Sequence, residues 1–303
     1  MLLGELIDDI ATGDSFAKAL RKHPQQFDTL YCNMVEAGEL SGKLSSVLGR
    51  IFDYQERTQR LKKNLRKALT YPCTVLLIAI LVTGILLAKV IPEFALTFSE
   101  FGAELPSLTL FVISLSDLFQ RFWLSILVTI GSCVSFIKIA RKNSKIFSKV
   151  IDSLKLKLPL IGTMVRNAIL IRFCRTLAIT FNAGIPILDA LQSAASTAGN
   201  AVYEQGILNL RQDLTHGISL YRAISNQSVF PTALKQMIIV GEESGTLGTL
   251  LDQASGFYEQ DLQLSIDTLT QVTEPLIMII LGLLVGGILL AMYLPIFQIG
   301  SII

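Results

Sequence analysis

The residues of this chain that could do chemistry are few, and their spacing is poor for it. Gly38-Glu39-Leu40-Ser41-Gly42-Lys43 has the outline of a phosphate-cradling loop. Such a loop needs four residues between its glycines and a Ser or Thr after the lysine to hold magnesium. Here three residues separate the glycines, Leu44 follows the lysine, and no strand precedes. It is not a nucleotide site. The two histidines, His23 and His216, stand apart from other ligand-type or general-base residues. Asp8-Asp9 and Glu242-Glu243 are paired carboxylates, but sequence neighbours on a helix do not face each other, so they read as solvated faces. Cys32, Cys73, Cys133 and Cys174 form no CxxC spacing and are expected as reduced thiols. No nucleophile elbow or H-E-x-x-H occurs. No catalytic residue, metal ligand or cofactor is expected, and the chain does not read as an enzyme.

What does stand out is repetition. Shifting the chain by 203 positions aligns 27–94 with 230–297 without a gap, and 22 of those 68 positions are identical. The informative matches are Gly38-Glu39-x-Ser41-Gly42 with Gly241-Glu242-x-Ser244-Gly245, then Leu44/Leu247, Leu48/Leu251, Glu56/Glu259, Pro72/Pro275 and Pro92/Pro295. Each proline pair brackets an apolar run, so the repeated unit is a polar helical piece followed by a membrane-like span.

The G-E-x-S-G stretch reads first as a helix-helix corner. Its glycines (Gly38, Gly42, Gly241, Gly245) give backbone freedom, and Ser41 or Ser244 is expected to cap the following helix. A sharper reading makes Glu39, Glu242 and Glu243 a charged contact for a partner, or for a basic residue of the same bundle.

The elements around these corners include membrane spans. With 51% hydrophobic and 17% charged residues, the chain is too apolar for an ordinary soluble protein. Crossing a bilayer takes about 20 apolar residues. Three spans are expected, over 71–91, 122–140 and 275–297, bounded by Pro72, Pro92, Pro275 and Pro295. The basic residues crowd before the first (Arg57, Arg60, Lys62, Lys63, Arg66, Lys67) and after the second (Lys138, Arg141, Lys142, Lys145, Lys149). The 92–121 loop is acidic. The positive-inside bias therefore puts 1–70, the basic linker 141–162 and 163–272 in the cytoplasm, with the loop and the 298–303 tail outside. The second span returns the chain, so both polar pieces face one compartment. Met1–Gly13 carries three acids and lacks the basic start of a cleavable signal. The basic clusters read as topological, not as a nucleic-acid patch. Gly282-x-x-x-Gly286-Gly287 gives the last span a small-residue face for helix packing, within the chain or between subunits.

The fold class is all-α: a membrane protein of two repeated helical bundles and three transmembrane helices. The second bundle, 163–272, reads as six helices. Asn167–Asn182 is expected to be amphipathic, and the last helix to carry Leu247, Leu250, Leu251, Ala254, Phe257 and Tyr258 on one stripe. The first, 1–70, reads as about four helices, matching the last four of the second. It lacks equivalents of the helices at 167–198, which would bare apolar faces. A shortened N-terminus is favoured over a covering subunit as the explanation.

Together the paired corners, the spans ending in Ile/Leu-Pro-x-Phe, and the run Phe173-Cys-Arg-Thr-Leu…Asn182-Ala-Gly-Ile-Pro-Ile-Leu-Asp-Ala-Leu resemble the bacterial type II secretion F protein family, which includes the inner-membrane platform of type IV pili. The resemblance covers nearly the whole chain. It departs in the short first bundle, and in Leu40 standing opposite Glu243. It implies a non-enzymatic, oligomeric platform in the inner membrane, contacting a cytoplasmic assembly ATPase and pilin or pseudopilin subunits. A transporter subunit and a membrane-anchored signalling protein are the alternatives from other classes. The first would need polar groups at mid-membrane, and the second a folded sensing loop in 92–121.

Overall fold

The computed structural model describes residues 2–94, 106–159 and 161–300. Among the described residues the regular structure is helical. The order is α1 (Leu2–Ala11), α2 (Phe16–Arg21), α3 (Thr29–Leu40), α4 (Leu44–Ile85, continued by a π-helical turn at Leu86–Val90), α5 (Ser107–Asn143), α6 (Lys145–Lys157), α7 (Ile161–Asn182), α8 (Ile187–Thr197), α9 (Ala201–Thr215), α10 (Leu220–Ser225), α11 (Thr232–Ser244) and α12 (Leu247–Gly300). The chain divides into two compact units, one of residues 1–63 and 144–266, the other of 64–143 and 267–303.

In the first unit, short helices stop and restart on the signals expected for them. Ser15, Asp28 and Asn200 accept the first free N–H groups of α2, α3 and α9. Glycines with left-handed φ end helices, Gly13 and Gly217 at corresponding places in the two halves. Leu6, Ala17, Leu20, Leu30, Met34, Val35, Val47 and Ile51 from α1–α4 form one core. Fully burying each of the larger side chains contributes about 1.5–3 kcal/mol. That core is closed by Ile179, Ala183 and Ile185, from the α7–α8 junction of the second half. Asn33 Nδ2 donates to Ser193 Oγ of α8 at 3.1 Å. The gap expected beside the first bundle is thus partly covered from within the chain, while Leu3, Ile7, Ile10 and Phe52 stay exposed.

Two expectations change here. Helix α7 is not amphipathic. Ile169, Leu170, Ile171, Phe173, Cys174, Leu177 and Ala178 are all buried, and so are the polar Arg175, Thr176 and Thr180. It is packed by α6 and α8 and touched by the core of the first half, and none of its residues from 167 to 180 is exposed. On α12, Leu247, Leu251, Ala254 and Tyr258 face the core, but Phe257 is 51% exposed. The buried stripe follows 4-3-4 steps, and Phe257 falls beside it.

In the second unit, α4 with its extension to Phe94, and α12 as far as Leu294, are long and apolar enough to cross a membrane. The expected second span, 122–140, lies within α5. Helix α5 begins at Ser107, inside the stretch expected as a loop. Leu108, Phe111, Val112 and Leu115 supply a helical repeat there, which Asp117 and Arg121 hide from a count of uncharged residues. Residues 95–105 of that loop lie outside the described residues. Leu87, Ile91, Val112, Ile288 and Ala291 pack together. Thr109 Oγ1 donates to the Ala291 carbonyl at 2.7 Å, and Ser116 to that of Leu87. Polar groups in an apolar layer are thereby satisfied internally.

Candidate functional site

The repeated G-E-x-S-G stretch forms the same device twice. At its start the backbones of two helices nearly touch: a Cβ added to Gly38 would lie 3.2 Å from Leu44 Cα, and one added to Gly241 only 2.9 Å from Leu247 Cα. At its end Gly42 and Gly245 take φ of +67° and +70°, a conformation glycine adopts without strain. In the first copy Lys43 N–H donates to Gly38 O at 2.9 Å and Gly42 N–H to Glu39 O at 3.2 Å, the paired bonds of a Schellman stop.

The serines correct the capping expectation. Ser41 Oγ donates back to Ala37 O at 2.7 Å and Ser244 Oγ to Val240 O at 2.6 Å. Because the left-handed residue is the glycine after it, each serine sits in the last turn of the preceding helix. It is out of place to cap the next one.

The glutamates do what the spacing alone did not reveal. Glu39 accepts the N–H groups of Phe16 and Ala17 at 2.6 and 2.9 Å. Glu242 accepts those of Leu220 and Tyr221 at 3.1 and 2.8 Å. Each carboxylate closes the free N-terminus of a short helix, where its charge is also favoured by the helix dipole. In place of a basic residue of the same bundle, one of the two contacts considered for them, the carboxylates take backbone donors some twenty residues upstream. Glu243 is exposed, as is its counterpart Leu40, at 86%.

Beside the second corner lies an apolar cavity of about 450 Å³. Phe181, Leu188, Leu214, Ile218 and Leu247 line it, with Glu242 at its edge. A smaller cavity of about 240 Å³ lies where Arg50, Asp53 and Arg57 of α4 meet Arg175 and Asn182 of α7. Arg175 is buried and ion-paired with Glu259 of α12. Among the described residues nothing accepts a hydrogen bond from its Nη1. Glu56, the counterpart of Glu259, instead pairs with exposed Arg60 at 2.7 Å. Arg172 donates twice to Ala198 O, at 2.6 and 3.2 Å, closing the end of α8; burial pulls its guanidinium pKa down. The phenol of Tyr54 is pushed up, also by burial.

The prolines mark the repeat without breaking helices. Pro72 lies inside α4 and Pro275 inside α12; Pro92 is in the helical extension of α4 and Pro295 near the end of α12. Two residues before each inner proline, Thr70 and Thr273 donate to Arg66 O and Leu269 O at 2.7 and 2.6 Å. Among the described residues no atom comes within 4 Å of a Cβ added at Gly282, Gly286 or Gly287. No group of three His, Cys, Asp or Glu could hold a metal among the described residues.

The family model described as type II secretion system (T2SS), protein F, matches residues 1–92 and 173–295. The chain belongs to the type II secretion system protein F family. Within that family it is 43% identical to the type IV pilus assembly protein PilC of Pseudomonas aeruginosa, over 100% of this chain and 81% of the other. It is 42% identical to the type IV pilus assembly protein TapC of Aeromonas hydrophila, over 100% of this chain and 73% of the other. It is 32% identical to the type II secretion system protein F of Pseudomonas aeruginosa, over 97% and 72%. The resemblance first read from the corners and the 173–191 run is thus that of a protein F family member, matched on both sides of the 93–172 segment.

Proposed function

We propose that this protein F family member is the non-enzymatic inner-membrane platform of a type IV pilus assembly machine. The observation that carries the reading is its 43% identity, over its full length, to a type IV pilus assembly protein, against 32% to a secretion protein F. A type II secretion platform is the second reading.

In this account three spans (71–91, 122–140 and 275–297) place the helical domains 1–70 and 163–272, and the stretch 141–162 between spans and domain, in the cytoplasm. The 92–121 connection and the 298–303 tail lie outside. A cytoplasmic assembly ATPase does the hydrolysis and docks on the helical domains. Gly38, Glu39, Ser41 and Gly42, with Gly241, Glu242, Glu243, Ser244 and Gly245, hold the short helices that form the docking surface, and the apolar cavity beside Glu242 receives an ATPase side chain. Pilin or pseudopilin subunits meet the membrane part. The open face of Gly282, Gly286 and Gly287 packs against a second copy, making the platform a homo-oligomer.

Deleting the gene tests the reading. Surface fibres should vanish while the purified assembly ATPase keeps its rate of hydrolysis. Fibres that persist would contradict it; lost exoprotein secretion with intact fibres would favour the second reading.

A further inference from the structure

Helix α6 follows α5 after a single residue, Ser144. Its inner side is anchored. Asp152 is buried, accepts the Ala201 N–H of α9 at 3.1 Å and pairs with Lys155 at 3.0 Å. Its outer side is not what a soluble helix presents. Val150 and Leu154 are 61% and 62% exposed, and Leu158, four residues on at the end of the helix, is 44% exposed. Lys149 and Lys157 are exposed beside it. The acid of this helix, Asp152, is the buried one, so the outward face carries apolar and cationic side chains without a balancing carboxylate.

An apolar stripe flanked by lysines is the pattern of a helix lying in a bilayer interface. There the apolar side sinks about 5–10 Å into the headgroup-acyl boundary and the lysines meet anionic headgroups. Exposed apolar side chains elsewhere in this unit, such as Leu3, Ile7 and Ile10 on α1, lack flanking cations: α1 carries Glu5, Asp8 and Asp9 and no lysine or arginine. Charge therefore separates α6 from the bare face of α1. We propose that α6 is a membrane-interface helix, with Val150, Leu154 and Leu158 in the lipid and Lys149 and Lys157 on anionic headgroups. This rests on the reading that α5 spans the bilayer and holds the start of α6 at its surface. It assigns the 141–162 stretch a lipid partner, beyond its role in orientation.

The test uses the full chain in nanodiscs of phosphatidylglycerol or phosphatidylcholine carrying brominated acyl chains. The one tryptophan, Trp123, lies in α5. In the native chain its quenching by bromines at either depth reports whether this end of α5 enters the bilayer. In a Trp123→Phe background, Leu154→Trp reports on α6, and Leu40→Trp serves as a water-exposed reference. The indole introduced at 154 should emit to the blue of the reference. It should be quenched more by shallow than by deep bromines, and more in phosphatidylglycerol, with that preference lost in Lys149→Glu/Lys157→Glu. Quenching of Trp123 without quenching at 154 would overturn the interface helix and leave the spans standing. A blue-shifted but unquenched signal at 154 would mean a protein covers the stripe, and overturns it too. If Trp123 itself is not quenched, the spanning role of α5 fails, and the inference with it.

Discussion

At the scale of single residues, Glu39 and Glu242 explain why the corner carries an acid. Each carboxylate meets two backbone N–H groups at the start of a helix too short to hold itself. Glu242→Ala should lower stability by about 1 kcal/mol, the usual cost of losing a cap, read by denaturation of the full chain in detergent. Glu243→Ala, an exposed neighbour, should leave the midpoint unchanged. The buried Arg175–Glu259 pair is a larger matter. Removing one partner strands a buried charge, so Glu259→Ala should cost about 3 kcal/mol, while the double change Arg175→Met/Glu259→Leu should recover most of it. Equal losses for the single and double variants would show that the pair is not coupled. The buried thiols make a third case. Burial pushes both Cys32 and Cys174 up, Cys174 the more strongly. The thiolate is the reactive form, so both should resist a thiol reagent at neutral pH in the folded chain. Raising the pH into the alkaline range should activate Cys32 before Cys174, and denaturant should expose both.

At the scale of elements, the corner was legible because glycines at its two ends leave few alternatives, and the repeat vouched for it. What the glutamates touch was not legible. Their partners are backbone groups at 16–17 and 220–221, and backbone donors leave no mark in a side-chain pattern. The serine role was misread because Ser before a helix is a common cap, and only the φ of Gly42 and Gly245 places it in the preceding turn. Helix α7 was misread for a related reason. Its sides are covered by α6, α8 and Glu259 as well as by the core of the first half, and no local period reports such cover. The inner prolines were expected to bound spans, but α4 and α12 continue through both of them. A helix-interior proline costs about 3 kcal/mol through a lost hydrogen bond and a ring clash. Pro275→Ala should therefore raise the melting temperature in detergent. If Pro275 serves the machine, fibre assembly should fall in the same variant.

At the scale of the whole molecule, the chain joins a helical unit, formed from both halves of the sequence, to long apolar helices. The all-helical character and two of the membrane-length segments were readable from hydropathy and proline spacing. The mutual support of the two halves was not, since it depends on Ile179, Ala183 and Ile185 reaching a core assembled from the first sixty residues. That support predicts joint folding. Ile185→Asp, a charge in the shared core, should loosen α1–α3 as well as α8, seen as lost hydrogen-exchange protection in both segments. The central claim of the proposed function is that the motor docks on this helical unit. The most direct test is co-purification, in mild detergent, of the full chain with the assembly ATPase of the same cell, compared with Leu188→Asp in the cavity beside Glu242. The account predicts that the native chain retains the ATPase, and that the folded, membrane-inserted variant loses it. A native chain that fails to retain the ATPase, in cells that make fibres, would contradict it.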